Sequence, residues 1–372
     1  MLVELFIKSA KMEKQYRVLI SGGGTGGHIF PAIAIANEIR QRFPNSVIEF
    51  VGAKGRMEME KVPNAGYVIH GLWISGLQRS LTPKNVSLPF KVISSLWNSY
   101  RIIKKFKPDF TVGVGGYASG PLNYVASKMG IPLFLQEQNS FPGVTNKLLK
   151  NSARKICVAY DGMERFFSKE KIVITGNPIR QDVLKAEVSE IEARQRFSLD
   201  PHKKTVLIIG GSLGARTINE AVEANLELLE KNNIQLLWQT GKNFASEFGT
   251  FKWGTRTAFI QSMDLAYKAA DVVISRAGAM SVSELSALGK ATIFVPSPFV
   301  AEDHQTKNAM SLVQKEAALL CKDSEASQNL GSMVVDLLKD EAHLKSLREK
   351  ITALGLPNAA EHIVNEIVES LG

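Results

Sequence analysis

The sequence predicts an α/β protein of two domains, each built on a parallel sheet covered by helices. Short apolar runs alternate with helical patterns along the whole chain, which is typical of parallel strands joined by crossover helices. The chain has 372 residues, more than one hydrophobic core usually supports, since domains run to roughly 100–200 residues. Each half also opens on a hydrophobic strand that leads into a glycine-rich turn, RVLISGGGTGGH from Arg17 and TVLIIGGSLGA from Thr205.

The apolar runs place the strands. In the first half the predicted strands are Arg17–Ser21, Val47–Val51, Phe110–Val114, Pro132–Gln136, Ile156–Ala159 and Ile172–Thr175. In the second half they are Thr205–Ile209, Gln235–Gln239, Ala258–Gln261, Val272–Ser275 and Thr292–Val295. The break between the domains is predicted near Gly176-Asn177-Pro178, because proline restricts the backbone before it and the polar segment that follows carries no strand signal. The predicted domains are therefore residues 1–177 and the residues from 178 onward, with the ligand cleft between them.

The composition is that of an ordinary globular protein from a reducing compartment. Hydrophobic residues make up 45% of the chain and charged residues 22%, which excludes a disordered chain. The two cysteines, Cys157 and Cys321, fit no metal-ligand or CxxC spacing. No run of about 18 apolar residues predicts a membrane-spanning helix. The start MLVELFIKSAKMEKQ lacks the cleavage pattern of a signal peptide, and Met12 is an alternative first residue.

The net charge of +9 is concentrated in one stretch. Residues 61–108 contain no Asp or Glu, and their eight basic residues are Lys61, Arg79, Lys84, Lys91, Arg101, Lys104, Lys105 and Lys107. The apolar residues at helical spacing or in the preceding loop are Leu72, Trp73, Ile74, Leu77, Val92, Ile93, Leu96, Trp97, Tyr100 and Ile103. Some of them belong to the core, but the combination predicts that the region 72–107 contacts an anionic membrane surface. Nucleic acid is not expected as a partner, because no nucleic-acid-binding motif accompanies the charge.

The first glycine-rich turn, Gly22 to His28, follows a strand and precedes the helical pattern PAIAIANEIRQRF. Glycine there lets backbone amides approach an anion at the start of a helix. The turn also fits GxGxxG, so a dinucleotide-binding domain is an alternative; against it, Glu49 lies inside the second strand rather than at its end. His28 stands where the helix dipole favours a neutral imidazole that can accept a proton. The alternative is a histidine that only packs or caps the helix.

The second half offers two more anion sites. The turn from Gly210 to Arg216 is rich in glycine, although such a turn can also be purely structural. The segment from Ser275 to Glu284 joins a strand to a helix, whose first amides could hold a diphosphate, and Glu284 could bind a ribose diol or only complement the helix dipole. Arg180 is a candidate for stabilising diphosphate charge, or an exposed surface arginine. The sequence has no GxxxxGK[ST], HExxH or DxD motif, so no metal is expected.

Seven segments closely resemble glycosyltransferase family 28, the GT-B enzymes that transfer N-acetylglucosamine from UDP-N-acetylglucosamine to lipid I. They are GGGTGGHIFPAIAIA, VGVGGYASGP, LQEQNSFPGVTNKLL, TGNPIR, GGSLGA, SRAGAMSVSEL and DHQTKNA, in the order in which the family has them. The resemblance spans nearly the whole chain and implies a GT-B fold of two Rossmann-like domains. It also implies that a helix over residues 357–372 completes the acceptor-binding domain, leaving residues 178–356 as the donor-binding domain. The sequence departs from many relatives at Gln136, where they have histidine, and from some at His304, where they have glutamine.

The resemblance also implies the roles of single residues. His28 is the favoured catalytic base, and Glu137 is the second candidate. The substrate-binding residues implied in the first half are Thr25, Gly26, Gly27 and Asn139, near the diphosphate and the donor sugar. Those implied in the second half are Arg180 and Ser212 for the phosphates, Ile260 for uracil through its backbone, Ala279, Met280, Ser281, Val282, Ser283 and Glu284 for diphosphate and ribose, and Gln305 for the sugar hydroxyls.

The expected reaction is a single inverting displacement, in which the muramyl 4-hydroxyl of lipid I attacks C1 of the sugar and UDP departs, forming lipid II. The resemblance implies a peripheral enzyme at the cytoplasmic face of the inner membrane, with UDP-N-acetylglucosamine and lipid I as partners and no cofactor. A UDP-sugar 2-epimerase could share the fold and the donor site. A non-catalytic protein that binds nucleotide sugars and a nicotinamide dehydrogenase are further alternatives.

Overall fold

The computed structural model describes residues 14–75, 88–184, 186–211, 213–244 and 253–372. The chain divides into two compact units, Met1–Ile179 with Asn358–Gly372 and Arg180–Pro357. Each unit is a parallel sheet with helices between its strands, so the predicted α/β class is confirmed. The predicted break at Gly176-Asn177-Pro178 lies beside this boundary.

The first unit contains a seven-stranded parallel sheet of order β3-β2-β1-β4-β5-β6-β7. Its strands are β1 (Arg17–Ser21), β2 (Val47–Ala53), β3 (Val68–Leu72), β4 (Phe110–Gly113), β5 (Leu133–Glu137), β6 (Lys155–Val158) and β7 (Ile172–Ile174). Its helices are α1 (Gly26–Arg42), α2 (Glu58–Asn64), α3 (Leu88–Phe106), α4 (Ser119–Lys128), α5 (Val144–Leu149) and, from the end of the chain, α14 (Ala359–Leu371).

Alternation along β1 explains why helices cover both faces of this sheet. Val18 and Ile20 are buried in one cluster with residues of α1 and α14. Leu19 lies on the opposite face, in a cluster with residues of α3 and α4. Successive side chains of a strand point to opposite faces, so one apolar run supports two separate cores. The return of α14 is fixed by Arg42, which donates to the Asn365 side chain over 2.6 Å.

The second unit contains a six-stranded parallel sheet of order β10-β9-β8-β11-β12-β13. Its strands are β8 (Thr205–Ile209), β9 (Gln235–Gln239), β10 (Gly254–Thr257), β11 (Val272–Ser275), β12 (Thr292–Phe294) and β13 (Leu319–Leu320). Its helices are α6 (Glu190–Arg196), α7 (Arg216–Ala224), α8 (Leu226–Lys231), α9 (Met263–Ala269), α10 (Ala279–Ala287), α11 (His304–Val313), α12 (Ala326–Lys339) and α13 (Glu341–Ala353).

The predicted strand Ala258–Gln261 is wrong. The strand ends at Thr257, and its residues are all half-buried because β10 is at the edge of the sheet. The apolar residues that suggested a strand belong to the loop after it, where Ile260 is buried. Two other edge strands, β3 and β13, were not predicted, because β3 is interrupted by His70 and Gly71 and β13 has only two residues.

In each sheet the strand order reverses once, between β1 and β4 in the first unit and between β8 and β11 in the second. Loops that follow the two strands at such a reversal leave a crevice where ligands of parallel sheets bind. The glycine-rich turns after β1 and β8, and the segment after β11, lie at these positions. Within the described parts of the chain, no helix combines the length and the apolar character needed to cross a membrane.

Candidate active site

In the first unit, α1 begins directly in the glycine-rich turn. Thr25 is the exposed N-cap residue in extended conformation, and its side chain makes no capping hydrogen bond. Its carbonyl accepts from the amides of His28 and Ile29, at 3.1 and 3.2 Å. The amides of Gly26 and Gly27 precede these donors in the first turn, where N–H groups have no acceptor within the helix. The turn needs glycine at Gly24, where φ is +85°.

A buried carboxylate that the sequence did not reveal supports this turn. Glu58 of α2 is 0% exposed and accepts from the backbone amides of Gly24 and Ala53, both at 3.0 Å. A β-carbon on Gly23 would lie 2.3 Å from the Glu58 Oε1 atom, so glycine is required for this contact as well. Glu58 therefore occupies the Gly24 amide, one of the donors that the turn could offer to an anion, which makes this turn a weaker anion site than its glycine content predicts.

His28 lies where three loops of the first unit meet. Its Nδ1 atom is 2.8 Å from Oε1 of Gln138, in the loop after β5. Its ring lies against Gly115 in the loop after β4, where a β-carbon would be 2.9 Å from the ring Cε1 atom. Nε2 has no hydrogen-bond partner among the described residues. The ring is thus held through Nδ1, and Nε2 is left available.

Glu137 is the last residue of β5 and is 2% exposed. Its carboxylate accepts from the backbone amides of Asn139 and Gly143, at 3.1 and 3.0 Å, and from the side-chain amides of Asn139 and Asn146, at 3.4 and 2.8 Å. Four donors occupy its two oxygens, so the carboxylate organises the loop before α5. This geometry does not support Glu137 as a catalytic base, because accepting a proton would break these hydrogen bonds. Asn139, predicted near the donor sugar, is held in this loop.

In the second unit the structure brings Arg180 and Glu284 together. Glu284 lies on α10, and its Oε1 atom is 3.5 Å from Arg180 Nε. The Tyr267 hydroxyl donates to Glu284 Oε2 over 3.1 Å. Burial raises the pKa of Glu284, and the Arg180 charge and these hydrogen bonds act in the opposite direction. Burial also raises the pKa of Tyr267 well above its ordinary value, so this tyrosine is a donor that sequence reasoning missed.

The start of α10 offers free backbone donors. Gly278 is its N-cap residue in extended conformation without a side-chain cap, and its carbonyl accepts first from Val282. The amides of Ala279, Met280 and Ser281 therefore precede the first intrahelical bond. Val282 has a buried side chain and a paired amide, so neither group is open to a ligand in this structure. Ser283, the remaining predicted contact of this helix, is half-buried on its second turn.

The loop predicted to contact uracil is tied to the glycine-rich turn by a residue that the sequence analysis did not single out. Gln239, at the end of β9, accepts from the Ile260 amide over 2.8 Å and donates to the Gly211 carbonyl over 3.0 Å. The Ile260 amide is therefore occupied, and its carbonyl is the backbone group left to contact a base. The sequence signal that could have identified Gln239 is a polar residue at the end of a buried strand. Ser212 lies outside the described residues.

Gln305 is the second residue of α11, and its Oε1 atom accepts from the Ser297 amide over 2.9 Å. Its side-chain NH2 makes no hydrogen bond among the described residues and remains a donor. The two residues before α11, Glu302 and Asp303, adopt left-handed backbone with φ of 55° and 52°. Such strain in non-glycine residues is common at functional sites. In the described parts of the chain, no three His, Cys, Asp or Glu residues are grouped as metal ligands.

Comparisons with known proteins decide the family. Residues 18–158 match the glycosyltransferase family 28 N-terminal domain, and residues 205–363 match the family's C-terminal domain. The chain belongs to glycosyltransferase family 28. It is 52% identical over 359 residues to the UDP-N-acetylglucosamine–N-acetylmuramyl-(pentapeptide) pyrophosphoryl-undecaprenol N-acetylglucosamine transferase of Flavobacterium psychrophilum, covering 96% of this chain and 98% of the relative. The transferase of the same name from Cytophaga hutchinsonii is also 52% identical, with 96% and 97% covered.

Solved structures of this family and of other sugar-nucleotide enzymes share the fold. The structure of Acinetobacter baumannii MurG matches with a TM-score of 0.77 and 28% identity, over 96% of this chain and 99% of that one. A UDP-GlcNAc 2-epimerase from Neisseria meningitidis bound to UDP-GlcNAc matches with a TM-score of 0.69 over 96% and 100% of the two chains, at 14% identity. The predicted resemblance to family 28 and the GT-B fold are confirmed, whereas the epimerase alternative has the likeness of fold alone in its favour.

Proposed function

We propose that this chain transfers N-acetylglucosamine from UDP-N-acetylglucosamine to the 4-hydroxyl of the muramyl sugar of lipid I, giving lipid II for peptidoglycan synthesis. The observation that carries the proposal is 52% identity to a transferase named for these substrates, over 96% of this chain and 98% of the relative. An enzyme matched over its whole length retains both halves of a two-substrate site. No cofactor is part of the proposed reaction.

The test is transfer of radiolabelled N-acetylglucosamine from UDP-N-acetylglucosamine to a short-chain lipid I analogue, with EDTA present throughout. We expect a labelled disaccharide-lipid product at full rate, because the diphosphate charge is to be stabilised by helix amides and an arginine rather than by a divalent ion. A parallel sample without acceptor is the control for hydrolysis and epimerisation. Release of UDP with 2-epimerised sugar in that sample would favour the epimerase instead, and loss of transfer with EDTA would refute the metal-free mechanism.

The second unit is proposed to bind the donor. The open amides of Ala279, Met280 and Ser281 and the Arg180 guanidinium supply positive charge for a diphosphate. Glu284 is an acceptor for both ribose hydroxyls, with Tyr267 holding it from behind. The turn of the first unit suits a diphosphate less well, because Glu58 takes the Gly24 amide. The NH2 group of Gln305 and the Ile260 carbonyl are left for the sugar and the base.

Donor affinity is expected to depend on the ionisation of Glu284. Its pKa is raised by burial, so its charge is lost at a higher pH than that of a free glutamate. The dissociation constant of UDP-N-acetylglucosamine, measured by calorimetry, should be flat at neutral pH and should rise by up to about tenfold per pH unit below that pKa. Glu284→Gln should bind more weakly and lose this dependence, whereas Glu227→Gln, at an exposed position of the same unit, should keep it. A wild-type affinity that stays constant while pH falls through the acid range would contradict the assignment.

The proposed base is His28, which presents Nε2 without a protein partner among the described residues. In a single displacement, the acceptor oxygen forms a bond to C1 of the sugar while its proton passes to Nε2 and the bond from C1 to the UDP oxygen breaks. The electron pair of the broken bond leaves on the β-phosphate. Inversion at C1 gives a β-1,4 linkage. Glu137 holds the loop that carries Gln138 and Asn139.

The exposed face of α3 supports a peripheral position on the membrane. Phe90, Ile93 and Trp97 are 68%, 66% and 61% exposed and share one face of the helix, whereas Ile103 and Leu72 are buried in the core. The same face continues into exposed basic residues towards the end of α3. The predicted contact residues Leu77, Arg79 and Lys84 lie outside the described residues.

Those basic residues line a groove of about 720 Å³ in the first unit. Arg101, Lys104 and Lys105 form no ion pair within the described residues. Glu49, the acidic residue of the groove, is paired with His70 at 2.6 Å. An apolar stripe that leads into unpaired basic charge suits a surface of anionic lipid headgroups, here at the cytoplasmic face of the inner membrane.

Removing two of these charges should weaken vesicle binding. Each basic residue near an anionic surface contributes about 1 kcal/mol, so Lys104→Ala with Lys105→Ala should lower the partition coefficient about 30-fold on anionic vesicles. The control variant replaces two separate exposed lysines of the second unit, Lys231 and Lys345, with alanine and so has the same net charge. Sedimentation with vesicles of anionic lipid and with vesicles of zwitterionic lipid measures the partition coefficient of each double variant. Equal losses for the two double variants would show that net charge, and not this surface, binds the membrane.

A further inference from the structure

Behind His28 runs a buried chain of side-chain amides, each with one possible orientation. Asn177 is 1% exposed, and its Nδ2 atom donates to the backbone carbonyl of Gln138 over 3.0 Å. A backbone carbonyl only accepts, so the oxygen of the Asn177 amide must face Gln136. There it accepts from Gln136 Nε2 over 2.9 Å. Gln136 is 0% exposed, and its own oxygen therefore faces Gln138.

The orientation of Gln138 follows from the same logic. Its Nε2 atom donates to the Val114 carbonyl over 2.9 Å and to Oε1 of Gln136. Turning this amide over would set its oxygen against two acceptors in a site where Gln138 is 1% exposed. Both ends of the chain are thus anchored on backbone carbonyls. The group that Gln138 presents to His28 is an oxygen, 2.8 Å from Nδ1.

We propose that Gln138 is a positioning residue that fixes His28 in the tautomer with its hydrogen on Nδ1, and that Gln136 and Asn177 fix Gln138. An oxygen that only accepts requires a donor at Nδ1, and a neutral imidazole then carries its lone pair on Nε2. Nε2 is the nitrogen without a protein partner among the described residues. The inference rests on the proposed function in one respect, since the free lone pair matters for catalysis only if His28 is the base.

An amide suits this task differently from a carboxylate. A carboxylate beside Nδ1 would both orient the ring and stabilise the charged imidazolium. The neutral Gln138 oxygen selects the tautomer without adding charge to the site. The imidazole can therefore readily release the proton that it takes from the hydroxyl of the acceptor substrate.

The direct test is nitrogen NMR of the full chain labelled at its six histidines. Protonated and unprotonated ring nitrogens resonate far apart, and the signals lost in His28→Gln identify His28. We expect Nδ1 to be protonated and Nε2 unprotonated in the wild-type enzyme, over the pH range in which the ring is neutral. Protonation at Nε2 in the wild type would overturn the inference whatever the catalytic role of His28.

The matched variants are Gln138→Leu and, as control, Asn225→Leu, which removes a buried amide of the second unit. Gln138→Leu should shift the His28 signals towards the Nε2-protonated tautomer and lower kcat by about 10- to 100-fold with an unchanged KM for the donor. Asn225→Leu should change neither. A Gln138→Leu enzyme that keeps the wild-type tautomer and kcat would refute the positioning role. A wild-type Nδ1-protonated ring in an enzyme whose His28→Ala variant turns over normally would instead refute the base and leave the tautomer assignment intact.

Discussion

Substitution of His28 by alanine is expected to lower kcat by about 10²- to 10⁴-fold, the usual contribution of a positioned general base. The affinity for UDP-N-acetylglucosamine should hardly change, because the proposed donor contacts lie in the second unit. The fold should also persist, since the half-buried ring stands in the first turn of α1 and alanine is a good helix former. Steady-state transfer to a lipid I analogue, with donor binding by calorimetry, measures both quantities.

The control for this substitution is His362→Ala. His362 is in the same unit and is exposed. It belongs to α14 and not to the loops at the β1–β4 reversal. Its loss should leave kcat within about twofold, because exposed substitutions away from functional features change little. Wild-type turnover in His28→Ala would remove this histidine from catalysis.

The central strands and the edge strand β7 could be predicted from the sequence, and the other three edge strands could not. The predicted strands Thr205–Ile209, Gln235–Gln239 and Val272–Ser275 coincide with β8, β9 and β11, because strands buried on both faces are continuous apolar runs. The edge strand β10 is the short polar segment GTRT, while the apolar residues after it fill a loop. An apolar run predicts buried residues. At the edge strand β10 the buried residues lie in the following loop and not in the strand itself.

For the candidate site, the sequence indicated the loops but not the hydrogen bonds within them. Glycines and helix starts marked the turns after β1 and β8, since backbone conformation leaves a local signal. The partners of Glu58, Gln138 and Gln239 depend on packing between distant segments, which no local pattern encodes. Glu137 shows the consequence. A carboxylate in a motif typical of the family was assigned a chemical role, and the structure surrounds it with four donors.

The two units use the loops at their sheet reversals differently. Each has a helix that begins in a loop at the reversal of its sheet, α1 after β1 and α10 after β11. In the first unit the adjoining groups are a buried carboxylate, Glu58, and an imidazole with a free nitrogen. In the second, Arg180 adjoins open helix amides and Glu284. The first arrangement suits activation of a hydroxyl, and the second suits a ribose diphosphate, which agrees with a division between acceptor and donor.

Replacement of Glu137 by glutamine is expected to impair folding rather than proton transfer. The substitution keeps the size of the side chain but turns one acceptor into a donor that faces the amides of Gly143, Asn139 or Asn146. Buried donors without an acceptor cost about 1–3 kcal/mol each, so the free energy of unfolding of the first unit should fall by about 3 kcal/mol. Urea unfolding followed by pulsed hydrogen exchange of peptides from residues 88–179 reports on this unit alone.

Hydrogen exchange locates the same effect, because the amides of Asn139 and Gly143 lose their acceptor and should exchange faster. The control is Glu60→Gln, which removes an exposed pair with Lys61 in the same unit and should cost less than about 1 kcal/mol. At a temperature where Glu137→Gln remains folded, its kcat should fall less than that of His28→Ala and its pH profile should keep the wild-type shape. If stability and exchange stayed as in the wild type while turnover collapsed, the carboxylate of Glu137 would be the base, and His28 would lose that role.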